Sequence, residues 1–166
     1  MIWGLTTSTF TAVHVALSFV GIVSGLVVLF GLIFGRRLGG WTALFLITTA
    51  ATSVTGFGFP FDHLPPSHKV GIASLLLLAV AIVALYARRL VGAWRRTYAI
   101  CAVLALYLNV FVLIVQLYQK VPALKAIAPT QKEPPFAITQ LAVLALFSFL
   151  TVLAAVRFRP EPAIPF

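Results

Sequence analysis

Five long stretches without a charged residue are the feature of this chain that most limits what it can fold into. They comprise residues 1–35, 38–61, 70–87, 97–119 and 134–156. Each is about as long as an α-helix must be to cross roughly 30 Å of hydrocarbon, at a rise of about 1.5 Å per residue. The pattern predicts an all-α integral membrane protein, a bundle of five transmembrane helices.

Helix-stopping and helix-starting residues place these five spans more closely. Arg36 and Arg37 precede a Gly-Gly turn that ends the first span, and Pro60 with its neighbouring glycines ends the second. Ser67 is a suitable N-cap for the third. We therefore predict helices at about residues 10–34, 41–57, 68–87, 97–119 and 136–156 of a single membrane domain, residues 1–166.

The basic residues are sorted between the two sides of the predicted bundle. All eight arginines fall in the first loop, the third loop and the C-terminal tail, whereas all four lysines fall in the second and fourth loops. An excess of positive charge in short loops marks the cytoplasmic side of a membrane protein. The count predicts an outside N-terminus and a cytoplasmic C-terminus, and it attributes the net charge of +9 to topology rather than to nucleic-acid binding.

A stripe of small residues lies on the first predicted helix. Ser18, Gly21 and Gly25 share one face with His14. Small side chains let helices approach closely in lipid. We expect this face to pack against another helix of the same chain, and a homodimer contact is the alternative.

Polar side chains gather in the half of the bundle that is predicted to lie outside. Polar residues within a span usually face the bundle interior and need partners there. Four different segments contribute them at one depth, which predicts a ligand-binding site. Its candidate residues are His14, His68, Asn109, Gln116, Tyr118 and Gln140.

Two metal-based interpretations fit the histidines. His14 and His68 lie on different helices at nearly matching depth, where two imidazoles hold a b-type haem in a helical bundle. Alternatively, His63 and His68 with Asp62 or His14 supply the nitrogen and carboxylate ligands that suit zinc or copper.

A quinone or another amphipathic small molecule is the third interpretation. Such a site needs an apolar slot and a few hydrogen-bonding groups, which His14, Gln116, Gln140 and Tyr118 offer. In a fourth interpretation the same side chains only bond to neighbouring helices and loops.

Residues 67–78, with the sequence SHKVGIASLLLL, resemble the His-Lys-x-x-Gly-Ile start of a helix in bacterial cytochromes of the b561 type. The resemblance implies haem ligation by His68. The chain departs from that family in having five predicted spans instead of four and too few histidines for two haems, so it implies one haem at most. In composition and layout the chain also resembles small multi-pass bacterial membrane proteins of unassigned function, which places it in the bacterial cytoplasmic (inner) membrane.

The sequence carries no motif of hydrolytic catalysis or of nucleotide hydrolysis. Two classes of function therefore stay open. The first is a small, non-catalytic accessory subunit that packs within a larger membrane complex, by contact with other subunits or by self-association. The second is a redox membrane protein that holds one b-type haem or a quinone in the outer leaflet.

Overall fold

A computed structural model describes residues 1–59 and 66–159 of the chain, and it is helical throughout this part apart from connecting turns. The prediction of an all-α fold is thus confirmed for the described residues. The helices are α1 (Thr7–Ile33), α2 (Gly39–Gly56), α3 (Pro66–Ile82), α4 (Trp94–Lys120), α5 (Pro122–Ile127) and α6 (Pro134–Arg157).

Four of these elements are long and apolar enough to cross a membrane, which is the architecture of an integral membrane protein. They are α1, α4, α6 and the continuous helical segment Ser67–Ala87, which is α3 followed by a π-helical turn at Val83–Ala87. α2 is not among the four. It has only 18 residues, and five of them are threonines, which make it less apolar than its neighbours.

Two helix ends show how the local sequence sets the boundaries. At the start of α1, the Thr6 hydroxyl accepts a hydrogen bond from the Thr9 amide at 3.2 Å. At its end, Gly35 has a φ of +72°. The Arg36 amide then donates to the Gly31 carbonyl at 2.7 Å, in the motif that commonly closes a helix on a glycine.

α5 occupies a segment that we predicted as a loop. Pro122 stands at its first turn, where the missing amide and the fixed φ of proline favour helix initiation. The short helix ends at Ile127, and the connection to α6 follows.

The first four long helices form a ring in which each contacts the next and α4 contacts α1, while α6 packs on the outside against α4 and α1. Neighbours are antiparallel. His14 near the start of α1 meets Thr55 near the end of α2, and Gly25 further along α1 lies against Phe45. The order of helices thus brings all arginines of the described chain to one end and all lysines to the other.

We call these the arginine end and the lysine end. The first comprises Arg36, Arg37, Arg88, Arg89, Arg95, Arg96, Arg157 and Arg159, and the second Lys69, Lys120, Lys125 and Lys132.

The half of the bundle toward the arginine end, the arginine half, holds the main apolar core. Ala84, Ala99 and Ala105 have no exposed surface, and Phe45 and Leu106 are 1% exposed each. Alanines at the contacts let the helix backbones approach closely, and the larger side chains fill the remaining space.

The small-residue stripe of α1 lies within the bundle. A Cβ atom on Gly25 would stand 2.7 Å from Leu106 Cδ1 and 2.9 Å from Phe45 Cδ2. On Gly21 it would stand 3.1 Å from Thr49 Oγ1. These two glycines therefore permit the close approach of α1 to α2 and α4. Ser18 extends the stripe toward the lysine end, where the helices are less closely packed.

Candidate ligand-binding cavity

In the half toward the lysine end, the lysine half, the ring of four helices encloses a cavity of about 630 Å³. Residues of α1, α2, α3 and α4 line it. A volume of roughly 300–1,000 Å³ is usual for a small-molecule site. The lining is mostly apolar, with a small number of polar groups among aliphatic and aromatic side chains.

Four of the six candidate ligand-binding residues line this cavity. They are His14 from α1, His68 from α3, and Asn109 and Gln116 from α4. The seven-residue spacing of Asn109 and Gln116 places both on one face of α4, and the antiparallel ring brings that face opposite the two histidines.

The other two candidates, Tyr118 and Gln140, lie outside the cavity in the contact between α4 and α6. The Tyr118 hydroxyl is 2.9 Å from Thr139 Oγ1 and donates to the Pro135 carbonyl at 3.2 Å. Gln140 Nε2 donates to the Phe111 carbonyl at 3.3 Å. Both side chains are buried, and in this structure they join two helices.

Of the proposed metal ligands, Asp62 and His63 lie outside the described residues. Within residues 1–59 and 66–159, no group of three histidine, cysteine, aspartate or glutamate side chains is arranged to hold a metal ion. The third proposed ligand, His68, is 5% exposed, and its ring meets the Phe57 ring edge-on at a centroid distance of 5.0 Å.

His14 is oriented by α2. Its Nδ1 lies 2.8 Å from Thr55 Oγ1. The Thr55 hydroxyl has one proton, which it donates to the Ala51 carbonyl of its own helix at 2.8 Å. With its proton donated to the Ala51 carbonyl, Thr55 accepts from His14, and we therefore assign the proton to Nδ1 and the lone pair of the neutral imidazole to Nε2. Nε2 is then the nitrogen available to a hydroxyl donor or to a metal ion.

A row of aromatic rings covers His14 at the lysine end. The Phe59 ring meets the His14 ring edge-on at 5.3 Å, Phe10 meets Phe59 at 5.1 Å, and Trp3 meets Phe10 at 5.4 Å. Phe59 lines the cavity and Phe10 is only 2% exposed. This row forms an apolar cover over one side of the cavity.

The cavity lining contains cationic and hydrogen-bonding groups but no carboxylate among its described residues. Lys120, at the end of α4, lies on the lining close to the lysine end, one helical turn beyond Gln116. Donors thus predominate at this end of the cavity, which suits a ligand with an oxygen acceptor.

Glu133, the only acidic side chain among the described residues, is engaged elsewhere. Its carboxylate accepts hydrogen bonds from the Thr130 hydroxyl at 2.8 Å and from the amides of Thr130 and Lys132 at 3.2 Å and 3.0 Å. Desolvation alone raises the pKa of Glu133, but these hydrogen bonds outweigh it and hold the pKa below its ordinary value. The carboxylate therefore closes the turn between α5 and α6.

Five of the six hydroxyl groups on the described lining divide into two kinds, which the sequence alone did not separate. Thr11, Ser18 and Ser53 each donate to a carbonyl one turn earlier in their own helix, at 2.8–2.9 Å. This is the usual arrangement of a hydroxyl in a helix. Thr52 and Ser74 are 8% and 3% exposed, and their hydroxyls have no hydrogen-bond partner among the described residues.

The large apolar lining residues that are also well exposed lie on only two helices. Phe19 and Val15 on α1 are 50% and 38% exposed, and Leu117 on α4 is 39% exposed. Each of the other large apolar residues on the described lining is less exposed. The exposed apolar edge of the cavity therefore lies on α1 and α4, and the exposed polar lining residues Ser67 and Lys120 lie at the lysine end.

The chain matches no protein-family model, no curated protein and no solved structure.

Proposed function

We propose that this protein is an integral membrane protein that binds one lipid-soluble small molecule in the cavity of its lysine half. The observation that carries the proposal is the convergence of His14, His68 and Gln116 on one largely apolar cavity, whose lining includes exposed apolar side chains of α1 and α4. A ligand that arrives through the bilayer needs an apolar edge of this kind, and it needs a few polar groups inside to fix its orientation.

The proposal includes five spans, with the N-terminus outside and the C-terminus in the cytoplasm of a bacterial cell. α2 crosses the membrane as the fifth span, although it is short, because its threonines face the bundle: Thr42, Thr48, Thr49 and Thr52 are all buried. Its 18 residues extend about 27 Å, close to the hydrocarbon thickness. The arginine end then faces the cytoplasm, and the cavity lies in the outer leaflet.

Two ligand classes fit the polar groups of the cavity. A quinone would use the donors near Gln116 and Lys120 together with His14 Nε2. A b-type haem would be held by the imidazoles of His14 and His68, in keeping with the resemblance of residues 67–78 to cytochromes of the b561 type. In either case the protein is a membrane component of electron transfer.

Purification of the full-length protein from its native membrane tests the proposal. A Soret absorbance that is lost in both His14→Ala and His68→Ala supports haem. A colourless protein whose organic extract holds about one quinone per chain supports quinone. If the protein is colourless and neither its extract nor added quinone shows binding, the ligand-binding proposal fails.

A matched pair of glutamines controls this experiment. Gln116 lines the cavity, whereas Gln119, three residues further on α4, is exposed and lies 3.5 Å from Gln131. Gln116→Leu should reduce the bound ligand, and Gln119→Leu should leave it unchanged. Equal effects of the two substitutions would argue against the cavity as the binding site.

An accessory role in a larger membrane complex is the second candidate function, and α6 supports it. In an apolar 18-residue segment of α6, only 11% of the residues are buried within the chain. The corresponding share is 28% or more in the other three candidate spans. Ile138, Leu141 and Phe149 are each more than 60% exposed on this helix. This apolar surface is available to another membrane subunit or to a second copy of the chain.

A photo-crosslinker at Leu141, used in native membranes, tests this second role. Recovery of one defined protein partner, with no such product from a crosslinker at the buried Leu106, supports an accessory subunit. Crosslinks to lipid alone would contradict it.

A further inference from the structure

We propose that the cavity holds a ligand with polar oxygen atoms at both ends of a flat apolar ring, the chemistry of the lipid-soluble para-quinones and their quinols. This inference rests on the proposed ligand-binding function and deepens it. It depends on a second polar pole in the cavity, formed by the hydroxyls of Thr52 and Ser74.

The outer pole lies near the lysine end. Lys120 and Gln116 supply donors there, and His14 supplies the lone pair of Nε2. A carbonyl oxygen at this pole accepts from the donors, and a phenolic hydroxyl donates to the imidazole. The outer pole thus suits one oxygen of the ring in either oxidation state.

The inner pole lies deeper in the bundle. Thr52 is about one helical turn from Thr55, and Ser74 is nearly two turns from His68, both toward the arginine end. The two residues belong to neighbouring helices, α2 and α3, which are in contact. Close to them, a Cβ atom on Gly71 of α3 would lie 3.8 Å from the Ser53 carbonyl of α2.

The hydroxyls of the inner pole are available to a ligand, unlike the other hydroxyls of the lining for which a bond is described. Those of Thr11, Ser18 and Ser53 are already committed to carbonyls of their own helices. Thr52 and Ser74 are more than nine-tenths buried, line the cavity and have no partner among the described residues. A buried hydroxyl without a hydrogen bond is unfavourable, and an oxygen atom of a bound ligand would supply that hydrogen bond.

This second pole separates the quinone class from other occupants. A lipid acyl chain or an isoprenoid tail in the inner part of the cavity would leave both hydroxyls without a partner. A haem held by two imidazoles at the outer pole makes no use of them. A para-quinone has its second oxygen across the ring from the first, where it reaches the inner pole.

Binding of defined probes to the full-length protein in quinone-free nanodiscs tests the inference. The probes are a decyl-substituted ubiquinone analogue, a decyl-substituted cyclohexenone with a single carbonyl, and decanol. The wild-type protein should bind the quinone at least tenfold more tightly than the single-carbonyl compound. Equal affinities would overturn the inference. This measurement requires only the wild-type protein.

Substitutions at the inner pole provide a second test of the inference. Thr52→Val and Ser74→Ala should each weaken quinone binding about threefold to tenfold, the usual contribution of one neutral hydrogen bond. Neither should change the affinity for decanol. Thr48→Val and Ser24→Ala are the matched controls, because both hydroxyls are buried, bond to their own helix and lie off the described lining. A thermal midpoint for each variant verifies that it is folded.

The outcomes distinguish the inference from the proposed function. If the quinone binds but the inner-pole variants bind it like the controls, the two-pole inference is wrong and the cavity remains a ligand site. If neither quinone nor haem binds, the proposed function is wrong and the inference falls with it.

Discussion

In the arginine half of the bundle α1 and α4 touch, whereas in the lysine half a cavity of about 630 Å³ lies between the same two helices. Gly25 of α1 and Leu106 of α4 make this contact. About one turn from Gly25 toward the lysine end, Ile22 is the first residue of α1 that lines the cavity. The difference follows the composition of the facing surfaces. Glycine and alanine let the helices approach closely in one half, and the facing surfaces of the other half carry larger and more polar side chains.

The two halves of this small protein divide stability and function between them. The closed half contains nearly all of the main apolar core and holds the helices in register. The open half contains the imidazoles, the glutamine and the two hydroxyls without partners. A rigid support on one side is what a binding site requires on the other. Substitutions in the two halves should therefore have different consequences.

The largest effect is expected for Gly25→Leu in the closed half. The added side chain has no room beside Phe45 and Leu106, and overpacking of this kind typically costs about 1–3 kcal/mol. We expect a fall in the thermal midpoint of the protein in detergent and a loss of helix contact between α1 and α4. Gly40→Leu, at a position with open space around its Cβ, is the control. A thermal midpoint as high as that of the control would show that the closed half is not tightly packed.

Val112→Phe in the open half should weaken ligand binding and leave the thermal stability nearly unchanged. Val112 lines the cavity, so we expect the larger ring to occupy ligand space. Ligand affinity should fall tenfold or more while the thermal midpoint stays within a few degrees of the wild-type value. Ile100→Phe, on the exposed surface of α4 in the closed half, should alter neither quantity. A destabilised Val112→Phe protein would contradict the distinction between the halves.

Thr55→Val should have a smaller effect, because it acts through the orientation of His14. The variant removes the oxygen that accepts the Nδ1 proton, so both tautomers become populated and ligand affinity should fall about threefold to tenfold. Nitrogen NMR shifts of His14 should report the Nδ1–H tautomer in the wild type and a mixture in the variant. Thr55→Ser should restore the wild-type spectrum. Unchanged His14 shifts in Thr55→Val would show that Thr55 does not set the tautomer.

The smallest effect is expected at Glu133, outside the membrane-spanning segments. The pKa of Glu133 is lowered on folding, so the ionised carboxylate stabilises the folded protein. This contribution to stability is complete above the ordinary glutamate pKa of about 4.3, and it is lost as the pH falls through the lower pKa of the folded state. Amide exchange protection of Thr130 and Lys132 should decrease over that range of pH. Glu133→Gln should lack this pH-dependent step. A wild-type protein whose protection is constant down to the folded pKa and below it would contradict the role of the carboxylate.

The sequence predicted a large part of the fold and a smaller part of the site. Long uncharged stretches with basic ends report helix length and order directly, so the all-α character was predictable. α5 was not, because six residues with a single proline signal look like a loop. His14, His68 and Gln116 were selected by depth, and Asn109 because it shares a helix face with Gln116; the structure brings all four to one cavity.

Depth could not separate these four residues from Tyr118 and Gln140. Both lie at a suitable depth, but they face α6, and the contact between α4 and α6 buries them. Only the arrangement of the helices determines which face of α4 lines the cavity. The inner hydroxyls were missed for a related reason. A serine or threonine in a helix usually bonds to its own backbone, and the sequence does not reveal where Thr52 and Ser74 depart from that pattern.

Hydropathy and loop charge were enough to predict that this protein is a membrane protein and that its basic residues are sorted between its two ends. Hydrophobic length and loop charge act through the solvent, without reference to any other part of the chain. The helix contacts of the folded bundle were needed to show that four helices surround a cavity, that two glycines permit close packing in one half, and that α6 lies outside the ring. These features depend on which helix faces meet, and that choice is made by packing among segments distant in sequence.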